Sequence, residues 1–211
     1  YAGFDAIFDM TENDDRMWDG KCVMYFFASR AEFLKFARVV HGFPGQRAGG
    51  YFRARGSQCE VVIPNLGGRE RFKETMVHEG AHAFLHFYRQ PGRVPTWVHE
   101  GVAQHFQFKE FPKSSMLRAV KRTLSRDAKS GRCLKLKDLA NSRRPAAGDH
   151  EGYSYAYSYV SYMIHKKPRA FAGFIRGLKS GLGAEEALEN AYGWDFEAMQ
   201  KRWRKAVSRQ R

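Results

Sequence analysis

A chain of 211 residues is the size of one domain, and 15% aromatic residues can fill its core. A formal net charge of +14 and a pI of 9.9 point to polyanions (nucleic acid, anionic lipid or wall polymers) as non-specific contacts. No apolar run approaches the roughly twenty residues that a membrane helix needs, and Cys22, Cys59 and Cys133 form no C-x-x-C pair, which argues against a cysteine zinc site.

The lysines and arginines are spread through 118–132, 135–144, 166–169 and 201–211 with no nucleic-acid-binding motif among them, so a solvated basic surface is the default reading. The chain starts at Tyr1 without an initiator Met, the expectation for a processed or trimmed end, and Tyr1 to Met10 reads as a strand. Val23–Ala28 reads as the next strand. It runs into a helix through the capping box Ser29-x-x-Glu32, with Phe33, Phe36, Ala37 and Val40 as its apolar face and a stop near Gly42. A Gly/Pro-rich loop spans Gly42 to Gly50. Gly50–Arg55 and Gln58–Pro64 alternate as a hairpin across Gly56-Ser57, with Gln58–Ile63 expected at the sheet's edge. Cys22 and Cys59 fall on these strands and read as buried free thiols, with pairing in an oxidising compartment as the alternative.

A helix is predicted from Glu74 through Tyr88, and Gln90-Pro91-Gly92 breaks it. A second helix opens at Pro95 and carries Trp97, Val98, Val102, Ala103 and Phe106. Beyond it the chain reads almost wholly as helix. Ser114–Lys129 is amphipathic and basic. Arg132–Gly152 is a loop-rich connection containing Arg143-Arg144-Pro145. Helices follow near 152–166, 168–180, 183–192 and 195–208, with Pro168 at a first turn, Gly193 as a C-terminal cap and Asp195 as an N-cap. In 153–162, Tyr155, Tyr159 and Tyr162 fall on one helical face. The fold class is therefore α+β: a small N-terminal mixed sheet, then a mostly helical half.

The first of the two central helices contains His78-Glu79-Gly80-Ala81-His82. Residues four apart share a helix face roughly 6 Å from each other, so both imidazoles can reach one metal ion. Glu79 stands beside them, able to take a proton from a water on that metal. The bland alternative is a helix with two ordinary, partly buried histidines. Zinc hydrolases take three protein ligands and leave the fourth position for water. If the two helices run antiparallel, Glu100 returns over the histidine pair. His99 competes for the place but points about 100° away on the same helix, so only one of them can face the metal. His86 continues the 78/82 stripe too far along the axis to join and reads as structural or as a support of the ligands from behind.

These residues resemble the gluzincin-type metallopeptidases, and most closely the peptidase MA-like families. The resemblance rests on H-E-x-x-H, on Pro95-Thr96-Trp97-Val98-His99-Glu100-Gly101-Val102-Ala103 as P-x-W-x-x-E-G-x-A, on the Tyr-bearing segment 153–162, and on the tail with Ala187, Ala191, Gly193, Phe196 and Trp203. It implies a single zincin-like domain, with 1–110 as the α/β metal-binding part and 111–211 as the helical part. It implies Zn2+ held by His78, His82 and Glu100, with Glu79 as general base and a peptide or protein as substrate. A tyrosine or histidine of the later helices would stabilise the oxyanion. Tyr155 aligns best with it, and Tyr153, Tyr157 and His150 are alternates. Family members often carry an Asp four residues after the ligand Glu to orient the first His; Gln104 stands there, able to accept an imidazole N–H but without charge. The resemblance favours an exported protein. Two other functions fit the residues: a zinc hydrolase of a non-peptide amide, and a weak or inactive zincin-like module that binds anionic polymers.

Overall fold

The computed structural model describes residues 7–8, 21–46, 48–55, 57–65, 68–89, 92–142 and 150–208. Strand β1 (Lys21–Phe27) leads into helix α1 (Arg30–His41), followed by β2 (Tyr51–Arg55) and β3 (Gln58–Pro64). The capping box at the start of α1 forms: Ser29 accepts from the Glu32 N–H, and the Glu32 carboxylate accepts from the Ser29 N–H. Gly42 closes α1 in the left-handed conformation, at φ 62°.

The strand order is β1-β3-β2, with β3 parallel to β1 and antiparallel to β2. Gln58–Ile63 is therefore the centre of the sheet, and β2 is an edge. The reason lies in the side chains: Val61, Val62 and Ile63 are all fully buried, an unbroken run that suits a strand covered on both faces. On one face Cys59, Val61 and Ile63 meet Ala83 and Phe87, with Phe52, Phe72 and Met76 around them. On the other face α1 closes over the sheet through Phe33 and Phe36, which pack tilted or edge-on against Phe27, Tyr25 and Tyr51. Cys22 and Cys59 are register partners on β1 and β3, and both are free thiols.

Helix α2 (Gly68–Phe87) starts a turn and a half before the expected Glu74. It is buried from two sides, by the sheet at Ala83 and Phe87 and by the helical half at Ala81, Phe84 and Leu85. Helix α3 (Thr96–Glu110) packs against it. There follow α4 (Ser115–Ser130), α5 (Leu136–Asn141), α6 (His150–Lys166), α7 (Pro168–Lys179), α8 (Ala184–Tyr192) and α9 (Phe196–Ser208). Helix α5 lies inside the stretch expected to be loop; Leu136 and Leu139 anchor it in the core. Arg143-Arg144-Pro145, Gly56 and Gln90-Pro91 lie outside the described residues, as does most of the expected first strand. Of that strand, Ile7 and Phe8 are described, and they are helical. Both are buried among the helices, where Phe8 packs on Phe84, Tyr88 and Phe171.

The helical half closes around α6. Tyr155 and Tyr159 are fully buried against Trp203 of α9, whose indole N–H donates to Ser158 Oγ at 2.9 Å. Helix α3 crosses α6 at Gly101. A Cβ there would lie 2.5 Å from the Ala156 carbonyl oxygen and 2.5 Å from Val160 Cγ2. No helix among the described residues is long and apolar enough to cross a membrane.

Candidate metal centre

Four-residue spacing on α2 turns His78 and His82 to one face, their ring centroids 4.8 Å apart. Helix α3 crosses that face and presents Glu100 from its N-terminal half. Glu100 Oε2 lies 3.4 Å from His78 Nε2 and 3.7 Å from His82 Nε2. This buried oxygen makes no hydrogen bond among the described residues. The three ligand atoms lie within 4.8 Å of one another. Ligands on a tetrahedral ion with 2.0–2.1 Å bonds stand roughly 3.3–3.4 Å apart. The two carboxylate–imidazole spacings, 3.4 and 3.7 Å, thus suit atoms gathered around a cation better than hydrogen-bond partners. The donor set of two imidazoles and a carboxylate fits a divalent metal ion.

The electrostatics follow from burying two imidazoles and two carboxylates together. Burial disfavours the His78 cation, but Glu100 and Glu79 outweigh it and raise its pKa. At His82 burial prevails and lowers the pKa to about 3. Burial opposes ionisation of Glu100, yet the two histidines pull its pKa below the usual value. Burial lifts Glu79 from 4.5 to about 7, with His78 opposing and Glu100 adding. The site therefore holds a carboxyl that changes charge near neutrality beside three potential ligands.

His99 and His105 share the depression of His82. Burial, with Lys179 and His86, lowers His99 to about 3, and burial, with His165 and Lys109, does the same at His105. Such histidines stay neutral in the fold but take up a proton near pH 6.5 once unfolded. The unfolded state then binds more protons, so stability rises with pH between about 3 and 6.5. The metal-free protein is expected to lose thermal stability as pH falls through that window, and each of His99→Gln and His105→Gln should flatten the loss. A melting temperature independent of pH in all three would contradict the burial of these rings.

The structure brings together four of the residues expected at the site: His78, Glu79, His82 and Glu100. His99 lies beside them, its ring 5.7 Å from that of His82, but outside the ligand group. His86 packs on Phe52 and Phe87. Gln104 does not orient His78: it is buried, and its Oε1 has no hydrogen-bond partner among the described residues. Gln107, one turn further along α3, takes that role with Oε1 3.0 Å from His78 Nδ1. Tyr155 belongs to the interior of the helical half. Its hydroxyl is directed at Asp127 Oδ2 (3.4 Å) and the Arg132 carbonyl (3.5 Å), and burial raises its pKa. Tyr157 packs on Phe108, Tyr153 is half-buried and His150 is exposed.

At the sheet side, Gly50 immediately precedes the edge strand β2 and presses on the site. A Cβ at residue 50 would come within 2.9 Å of Thr75 Cγ2 and 3.3 Å of Glu79 Cγ. Phe52 follows, with its ring 6.5 Å from that of His82. The outer edge of β2 pairs with no described strand.

Neither the curated proteins nor the solved structures contain a match to the chain. The family model of the Peptidase MA superfamily matches residues 63–209, a span that starts in β3 and takes in the paired histidines, Glu79 and Glu100, and the chain belongs to that superfamily.

Proposed function

We propose that the protein is a zinc-dependent peptidase. The observation that carries this reading is the convergence of His78 Nε2, His82 Nε2 and Glu100 Oε2 without hydrogen bonds between them, next to the buried Glu79. A zinc ion held by His78, His82 and Glu100 would polarise a scissile carbonyl and acidify water. Glu79 accepts the proton from the attacking water and passes it to the leaving amine. Its elevated pKa suits it to both halves of that exchange. His82 stays neutral and offers its lone pair, and Glu100 stays ionised and offers charge.

The substrate position follows from the edge strand. A peptide adding to the open side of β2 forms backbone hydrogen bonds there and runs past Gly50 toward Glu79. Strand addition therefore takes place at β2, not at β3. The oxyanion role is not assigned to Tyr155, whose hydroxyl faces Asp127 and Arg132 instead.

Elemental analysis of the purified protein beside Glu100→Ala tests the reading. About one zinc per wild-type chain is expected, with a marked loss in the variant. A peptide-library screen then follows. No bound metal, and none taken up after zinc is supplied, would overturn it. Zinc binding without cleavage of any peptide would keep the metal centre and remove the peptidase.

A further inference from the structure

Glu74 lies one turn before His78 on α2 and is not in the ligand group. It nevertheless ends a chain of hydrogen bonds that starts at His78. Gln107 Oε1 is 3.0 Å from His78 Nδ1. Gln107 Nε2 donates to Glu74 Oε2 at 3.2 Å and approaches Met116 Sδ at 3.8 Å. Ser114 Oγ donates to the same Glu74 oxygen at 2.8 Å and accepts from the Met116 N–H at 3.2 Å.

With His78 neutral and Glu74 accepting, only one placement of hydrogens satisfies all of these contacts. An ionised carboxylate can only accept, so the Gln107 atom facing Glu74 must be the NH2 group. Its carbonyl oxygen then faces His78. A carbonyl also only accepts, so His78 Nδ1 carries the hydrogen. The His78 Nε2 lone pair is thereby left pointing at the position shared with His82 and Glu100. Rotating the amide by 180° would set its oxygen against the carboxylate and offer an N–H to His78 Nδ1. That arrangement favours the opposite tautomer, which carries hydrogen on the ligating nitrogen. Gln107 is 3% exposed, so water does not readily take over either bond. Glutamine brings no charge to the imidazole, but here a carboxylate supplies it at one remove.

We propose that Glu74 is a positioning residue of the metal centre: acting through Gln107, it holds His78 in the tautomer whose Nε2 ligates the ion. The inference rests on the metal-binding reading above. Two readouts separate it from that reading. The first is zinc affinity, by competition with a chromophoric chelator, for wild type, Glu74→Ala, Gln107→Met and the double variant. Gln107→Met is expected to weaken zinc about 10–100-fold, in the range of lost partners of ligating histidines, and Glu74→Ala by up to about tenfold. In the Gln107→Met background, Glu74→Ala should add less than about twofold, because its route to His78 has already been cut. The second readout is 15N NMR of the histidine rings in the metal-free protein at alkaline pH. His78 should be in the Nδ1–H form in wild type and a mixture of tautomers in Glu74→Ala. Glu74→Gln keeps an acceptor oxygen, so it should restore most of the Nδ1–H form and also serve where the alanine variant folds poorly. The proposal is overturned if Glu74→Ala weakens zinc equally in both backgrounds, or if no Glu74 variant changes the tautomer. Should wild type bind no zinc, the metal reading fails by itself, while the tautomer measurement still decides whether Glu74 governs His78.

Discussion

Glu79→Gln is expected to lower kcat by about 10²–10⁴-fold, the range general-base catalysis supplies, and to leave zinc content unchanged. The amide matches the carboxyl in shape but cannot take a proton, and Glu79 is outside the ligand group. A second effect has the opposite sign. In the metal-free fold Glu79 titrates near 7 instead of 4.5, so the folded state binds more protons over that interval. Its contribution to stability is complete below 4.5 and is lost as pH rises through 7. The displacement corresponds to roughly 3 kcal/mol. The metal-free glutamine variant should therefore gain on wild type as pH rises from 4.5 to 7, and should melt at a higher temperature at pH 8. A variant that is inactive and also less stable at pH 8 would mean that the residue supports the fold, not the chemistry. Full activity in Glu79→Gln would end the general-base assignment.

Gly101→Ala should be the most damaging single methyl in the helical half. Alanine normally improves a helix interior over glycine by about 1 kcal/mol. At Gly101 the added Cβ would meet a backbone oxygen and a valine methyl of α6, each at 2.5 Å. Neither can step aside without moving the helix, and overpacking of this kind costs about 1–3 kcal/mol or more. Gly80 is the internal control: it too lies within a helix, yet a Cβ there meets nothing within 4 Å. Thermal denaturation should show Gly101→Ala well below wild type and Gly80→Ala level with it or above. If both substitutions raised the melting temperature, the close crossing of α3 and α6 would be wrong.

The clustering of the candidate ligand group was legible because its geometry is local. Two histidines four apart must share a face on any helix, and Glu100 needed only a chain reversal to reach them. The support of His78 was not legible in the same way. Gln104 and Gln107 are one turn apart on α3, and the crossing of α2 and α3 decides which of them reaches the imidazole. The central strand was misplaced for a related reason. The apolar run Val61-Val62-Ile63 marks burial on both faces, but the hairpin signal alone does not say which of its strands a third will join. Helix α5 went unread because it is short, and the start of α2 because Arg69, Glu70, Arg71 and Lys73 give no apolar period. Tyr155 was chosen by alignment with a family position among crowded tyrosines, and packing against Trp203 settles its surroundings.

The candidate ligand atoms come from two helices, two from α2 and one from α3. An ion held there would act as a cross-link that only the folded chain can close. Its binding free energy would therefore become folding free energy, growing by RT ln(1 + [L]/Kd) with free metal. Stripping the ion should speed backbone hydrogen exchange first in the N-terminal half of α3, around Glu100, while the β3 amides keep their protection.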